Sequence, residues 1–118
     1  MKVLVVDDDY AVLDAIKDIL EDEGYDVSVA ANGLEALKEL AQGPRPGLIL
    51  LDLMMPVMNG WEFREKQLED EGLAAIPTII VTAHNKPEVN AAELKAVTSI
   101  RKPVTPEMLL ETVQRYCV

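Results

Sequence analysis

Three consecutive aspartates, Asp7-Asp8-Asp9, follow the apolar run KVLVV, and a fourth, Asp52, follows LILL. Thr82 follows PTIIV, and Arg101-Lys102-Pro103 closes a later, weakly apolar run. Carboxylates gathered in one place repel: two of them 4 Å apart do so by about 4 kcal/mol at an effective dielectric near 20. Protonation relieves this, but a hard divalent cation is the usual remedy, and two or three carboxylates with waters and a backbone carbonyl suit octahedral Mg²⁺. A lysine and a hydroxyl beside such a cluster make sense if an anion joins the metal. A phosphoryl group has three oxygens that metal, ammonium and hydroxyl can share. A carboxylate can itself accept that group, giving an acyl phosphate. The residue types thus point to Mg²⁺-assisted phosphorylation of an aspartate, if the fold brings them together.

The elements that must do so are legible as alternating apolar and amphipathic stretches. Lys2–Val6 is short and nearly continuous, as a strand buried on both faces should be. Residues 10–23 place Val12, Leu13, Ile16, Ile19 and Leu20 on one helical face, and Gly24 stands where a helix end favours a left-handed residue. Asp9 suits the N-cap of that helix. Asp26–Ala30 alternates like an edge strand. Asn32 with Glu35, and Asn59 with Glu62, have the spacing of capping boxes that open helices over 33–42 and 60–70. The run 48–51 predicts a third strand and 77–81 a fourth. Pro87–Lys95 predicts a short helix, Val97–Ile100 a fifth strand, and Thr105-Pro106 the start of a last helix that buries Leu109, Leu110, Val113 and Tyr116. Five strands alternating with five helices imply a parallel α/β sandwich with right-handed crossovers. In such sheets sites form beyond the carboxyl ends of the strands, where Asp7, Asp8, Asp52, Thr82 and Lys102 all fall.

The 118 residues suit one globular domain, residues 1–118, with no repeat or linker. A net charge of −10 argues against nucleic-acid binding and against docking on anionic lipid. One cysteine, Cys117, excludes an internal disulfide framework and a thiolate metal cluster, and is read as a packing residue. No apolar run approaches the about 20 residues of a membrane span. The N-terminus turns acidic after four apolar residues, unlike a signal peptide, so a soluble, cytoplasmic protein is expected.

In this order, VLVVDDD, LILLDLMMPVMNG, PTIIVTA and RKP resemble the receiver domain of two-component response regulators, and the likeness runs over essentially the whole chain. The resemblance implies a doubly wound, flavodoxin-like five-stranded parallel sheet in the order 2-1-3-4-5; the same order is the stock example of a doubly wound sheet. It implies that Asp52 is the phosphoacceptor. Asp8 would bind Mg²⁺ directly, Asp7 mainly through water, and the backbone carbonyl of Met54 would complete the protein's ligands. Thr82 matches the switch hydroxyl and Lys102 the lysine that pairs with the phosphoryl group; its ammonium is expected on Asp52 before phosphorylation. Pro103 implies a cis Lys102–Pro103 bond. The implied partners are a sensor histidine kinase or a histidine phosphotransfer protein and an unidentified output partner, with no nucleic acid or membrane bound by this domain. A homodimer through the fourth helix, fifth strand and fifth helix is compatible with it.

The chain also departs from the family pattern. Ser99 stands where an aromatic residue is usual, the usual Gly-Ala turn before the fifth strand is missing, and the Thr82–Lys102 interval is about two residues short. Gly47 replaces a commoner Asp. His84 and Met54 are candidates for tuning water access to an acyl phosphate. Trp61 is a candidate spectroscopic reporter, and Met54, Met55, Val57 and Met58 form a candidate kinase-docking rim. Three functions compete: a phosphorylation switch rather than an enzyme with an external product, a phosphate-independent interaction module, and a Mg²⁺-dependent phosphohydrolase. The last normally has a second Asp two residues after its nucleophile, where this chain has Met54. The chain reads either as a stand-alone regulator or as one domain of a larger protein.

Overall fold

Four apolar residues at a time, buried from both sides, organise this chain. In the computed structural model, which describes residues 2–53, 55, 57–82, 95–102 and 104–116, strand β1 (Lys2–Val6) and strand β3 (Leu48–Leu51) lie at the centre of the sheet. Val3 to Val6 and Leu48 to Leu51 are all buried, which is why these runs show no polar alternation. Strand β2 (Asp26–Ala30) is an edge and alternates in sequence but not in burial: Val27 is buried in one core and Ala30 in the other, while Val29 is exposed. Strand β4 (Thr78–Thr82) and strand β5 (Thr98–Arg101) complete an all-parallel sheet of order β2-β1-β3-β4-β5. Both run one residue later than the apolar pattern predicts. Pro77 has no N–H to give a ladder, and β5 is an edge in which only Ile100 needs burial.

Successive strand residues feed two separate cores. Val3, Val5, Leu48, Leu50, Ile79 and Val81 face helix α1 (Tyr10–Asp22) and helix α5 (Pro106–Tyr116), through Leu13, Ile16, Leu20, Leu109 and Val113. Leu4, Val6, Ile49, Leu51 and Ile80 face helix α2 (Gly33–Gln42) and helix α3 (Gly60–Glu69), through Ala36, Leu40 and Phe63. Leu110 and Tyr116 are only partly buried against the first core. A short helix α4 (Glu71–Ala74), capped by Asp70, ends the predicted 60–70 helix at Glu69. The predicted helix at 87–95 lies, but for Lys95, outside the described residues.

The caps set where each helix begins. Asp9 Oδ1 accepts from the amides of Ala11 (2.9 Å) and Val12 (3.4 Å). Asn59 and Glu62 form a full capping box. Asn32 accepts from Glu35 N in the same way, but the Glu35 carboxylate takes the side-chain amide of Asn32 rather than its backbone N–H. The two caps differ in φ, −161° at Asn32 against −78° at Asn59, and hence in where the backbone N–H points. Gly24 takes φ +92°, as its place after α1 predicts. Among the described residues no helix is long and apolar enough to cross a membrane.

Candidate functional site

Register brings the acids together. Val6 pairs with Leu51 across β1 and β3, so Asp7 and Asp52, the next residue on each strand, leave the sheet side by side. Backbone hydrogen bonds carry the ladder one step further: Asp7 N donates to Ala30 O (3.1 Å) and Asp52 N to Val6 O (2.9 Å). Both side chains are buried, at 2% and 4% exposure, whereas Asp8 is exposed. Carboxylate oxygens of Asp7, Asp8 and Asp52 all lie within 4.8 Å of one another.

Lys102 enters from the far edge. Its amide donates to Thr82 O (2.9 Å), which extends the β4–β5 pairing beyond Arg101 and sets the lysine beside Thr82. Thr82 itself is fully buried. The Lys102 ammonium donates to Asp7 Oδ2 at 2.7 Å and lies 3.6 Å from Asp52 Oδ2. The expected pairing with Asp52 is present, but it is the longer of two: the short contact goes to Asp7. Burial alone would lower the ammonium's pKa, but the hydrogen bond to Asp7 and the charges of Asp52 and Asp7 outweigh it and hold the group above the ordinary lysine value. Asp7 is fixed from its other side as well, since its Oδ1 accepts from Asp9 N at 2.9 Å. The same Asp9 thus caps α1 and orients the acid two residues before it.

Among the described residues, three carboxylates converge here, and two of them, Asp7 and Asp52, share one ammonium. Two negative charges are left over in a partly dry place, which fits a divalent cation. The donors are all hard oxygens, the ligand type that a hard divalent cation takes. The acidic cluster is thus consistent with a divalent metal site. Met54, Pro103, His84 and Cys117, all singled out in the sequence, lie outside the described residues.

Other residues that shape the site were not evident from the residue pattern. A Cβ on Gly60 would come within 2.5 Å of Asp52 O and 2.7 Å of Leu53 Cα, so α3 approaches the Asp52 backbone as closely as it does only because that residue has no side chain. Its amide donates to Leu53 O. Its position directly after the Asn59 cap was the available signal. Val57 adopts φ +68°, unusual for a β-branched residue, and is 76% exposed beside half-buried Met55 and Met58. Trp61 is half-buried against the core on the α2–α3 face.

Comparison with known proteins agrees with this geometry. The family described as the response regulator receiver domain matches residues 3–114. The sporulation initiation phosphotransferase F of Bacillus subtilis (strain 168) is 35% identical over 118 residues, covering 98% of this chain and 92% of that protein. The chemotaxis protein CheY4 of Vibrio cholerae superposes with a TM-score of 0.89 at 34% identity, covering 98% of this chain and 97% of the other. The response regulator TrrA of Thermotoga maritima, solved in complex with Mg²⁺–BeF, gives a TM-score of 0.85 at 29% identity, over 98% and 97% of the two chains. Against some other relatives, transcriptional regulators, the chain spans only about half their length, 51% and 54%.

Proposed function

The chain belongs to the response regulator receiver domain family, whose members are signalling phosphoacceptors rather than classical enzymes, and from that membership we propose that residues 1–118 form a phosphorylation switch whose acceptor is Asp52. The observation that carries the proposal is the convergence of Asp7, Asp8 and Asp52 within 4.8 Å, with the Lys102 ammonium between two of them. The donor is a phosphohistidine on a sensor histidine kinase or histidine phosphotransfer protein. Exposed Val57, flanked in sequence by half-buried Met55 and Met58, would give such a partner an apolar foothold a few residues after the acceptor.

An oxygen of the Asp52 carboxylate attacks phosphorus in line, the P–N bond to the donor imidazole breaks, and the imidazole leaves with the electron pair. Asp7, Asp8 and Asp52 would hold Mg²⁺, with the backbone carbonyl of Met54 as the family resemblance implies, and the ion would supply the charge neutralisation that this transfer needs. Lys102 pairs with a phosphoryl oxygen and Thr82 donates its hydroxyl to another. These new contacts would bias a two-state element, the loop after β4 and the helix expected to follow it, which lies outside the described residues but for Lys95. Water attacking the same phosphorus later breaks the acyl–phosphate bond, releases inorganic phosphate and restores the Asp52 carboxylate.

The test is incubation with acetyl phosphate and Mg²⁺. Mass spectrometry should find one added phosphoryl group, located at Asp52 and absent from Asp52→Asn, and beryllofluoride with Mg²⁺ should change the fluorescence of Trp61. A protein that binds Mg²⁺ and answers neither reagent would instead be a phosphate-independent interaction module.

A further inference from the structure

The inward face of α3 is polar where a core-facing helix is normally apolar. Gly60 and Phe63 share it with Arg64, 3% exposed, and Gln67, fully buried. Both polar side chains are held by hydrogen bonds. Arg64 Nη1 donates to Thr78 Oγ1 (3.1 Å) and Nη2 to Lys95 O (2.9 Å). Gln67 Nε2 donates to Leu73 O (2.8 Å) and, at 3.3 Å, to the same Thr78 hydroxyl. Among the described residues, only two non-glycine positions have positive φ, and Lys95 is one of them, at 56°. It stands just before β5, where a side chain makes the left-handed region unfavourable.

From these contacts we infer that Arg64 is a positioning residue: its buried guanidinium holds the left-handed turn at Lys95 and thereby sets the register of β5 that delivers Lys102 to Asp7 and Asp52. The chain of contacts is continuous. Thr78, which takes Arg64 on its hydroxyl, accepts Val97 N on its backbone carbonyl (3.0 Å), and this is the first rung of the β4–β5 pairing. The last rung is Lys102 N to Thr82 O. A slip of one residue between these rungs would turn every β5 side chain to the opposite face and carry Lys102 away from the acids. Side-chain burial contributes little to holding this strand, since of its four residues only Ile100 is buried. Burying a guanidinium is costly, and burial does lower the Arg64 pKa. A buried charged group retained at such a cost is best explained where it specifies an arrangement, as polar residues do in setting register elsewhere.

The consequence for phosphoryl chemistry rests on the reading of Asp52 and Lys102 given above, whereas the effect on β5 does not. The experiment therefore has two readouts, amide hydrogen exchange and beryllofluoride affinity in the presence of Mg²⁺, on Arg64→Met, Lys95→Gly and the double variant. Losing a charge-assisted hydrogen bond changes a local equilibrium by about tenfold. Arg64→Met should speed exchange at the Val97 and Lys102 amides by at least that factor relative to Ile49 and Asp52, and weaken beryllofluoride binding in parallel. Lys95→Gly, which removes the need to hold the turn, should restore both in the Arg64→Met background and change little alone. Equal acceleration at all four amides, or no recovery in the double variant, overturns the inference. If Arg64→Met does not fold, a folded double variant supports the inference and an unfolded one overturns it. A parent protein that ignores beryllofluoride overturns the proposed function and leaves the exchange comparison standing.

Discussion

The ammonium of Lys102 makes its short contact, 2.7 Å, with Asp7, and its distance to Asp52 is 3.6 Å. Asp7 contributes no oxygen to the proposed acyl phosphate, so the lysine is parked on a neighbour of the acceptor. A phosphoryl group on Asp52 would bring three further oxygens towards it and compete for the same ammonium. The resting ion pair therefore holds the lysine in place and occupies it until that competitor arrives.

Lys102→Met should destabilise the metal-free protein by about 1–3 kcal/mol, because it strips buried Asp7 of a charged partner. Added Mg²⁺ should recover part of the loss, since a cation can take over the same carboxylate. Urea denaturation with and without Mg²⁺ measures both.

The same pair fixes a pH dependence. The Lys102 pKa is raised in the folded state, where Asp7 and Asp52 overcome the opposing effect of burial. A raised folded pKa gives stability that is complete below the unfolded pKa and is lost as pH climbs through the folded one. That window opens above the ordinary lysine value of 10.5. The stability difference between parent and Lys102→Met, without metal, should hold level from about pH 7 to 9 and shrink only above the lysine range. Denaturant midpoints across that range provide the check.

Mg²⁺ should stabilise the parent against heat, by about 2.7 kcal/mol at about a hundredfold excess over its dissociation constant. A chelator should abolish the gain. Asp8→Asn should weaken it while leaving the metal-free protein at least as stable as the parent, because it removes one negative charge from the acidic cluster. Calorimetry on the two proteins distinguishes this from general salt stabilisation, which would survive the substitution.

Gly60→Ala should cost about 1–3 kcal/mol, since its Cβ would meet backbone atoms that cannot rotate aside. It should also weaken Mg²⁺ binding, because relief of the clash moves Asp52. Gly24→Ala is the control. Its Cβ meets nothing within 4 Å, but its φ of +92° makes a side chain cost about 1 kcal/mol, with Mg²⁺ affinity intact.

Strand positions were legible because Val3–Val6 and Leu48–Leu51 are buried on both faces and so read as unbroken apolar runs. The site followed from them, since Asp7, Asp52, Thr82 and Lys102 each stand at a strand's carboxyl end. What escaped the pattern depends on contacts distant in sequence. The partner of Lys102 is chosen across 95 residues of separation. Arg64 and Gln67 look like ordinary surface residues until their periodicity with Phe63 is set against the core they enter. Where the family's usual Gly-Ala turn is missing, the chain turns at Lys95, in a left-handed conformation that no local preference of lysine announces. The differing behaviour of the Asn32 and Asn59 caps likewise turns on φ, which spacing does not encode.

Asp7 and Asp52 hang from β1 and β3, which have neighbours on both sides, while Lys102 hangs from the rim of the sheet. The pocket is thus assembled from parts of unequal stiffness, with its anionic half built into the frame and its cationic half mounted on the border. Displacing the border requires breaking one ladder, whereas displacing the frame requires breaking two. Any message sent from this pocket can therefore leave by way of the rim while the acids keep their places for the next turn of the cycle.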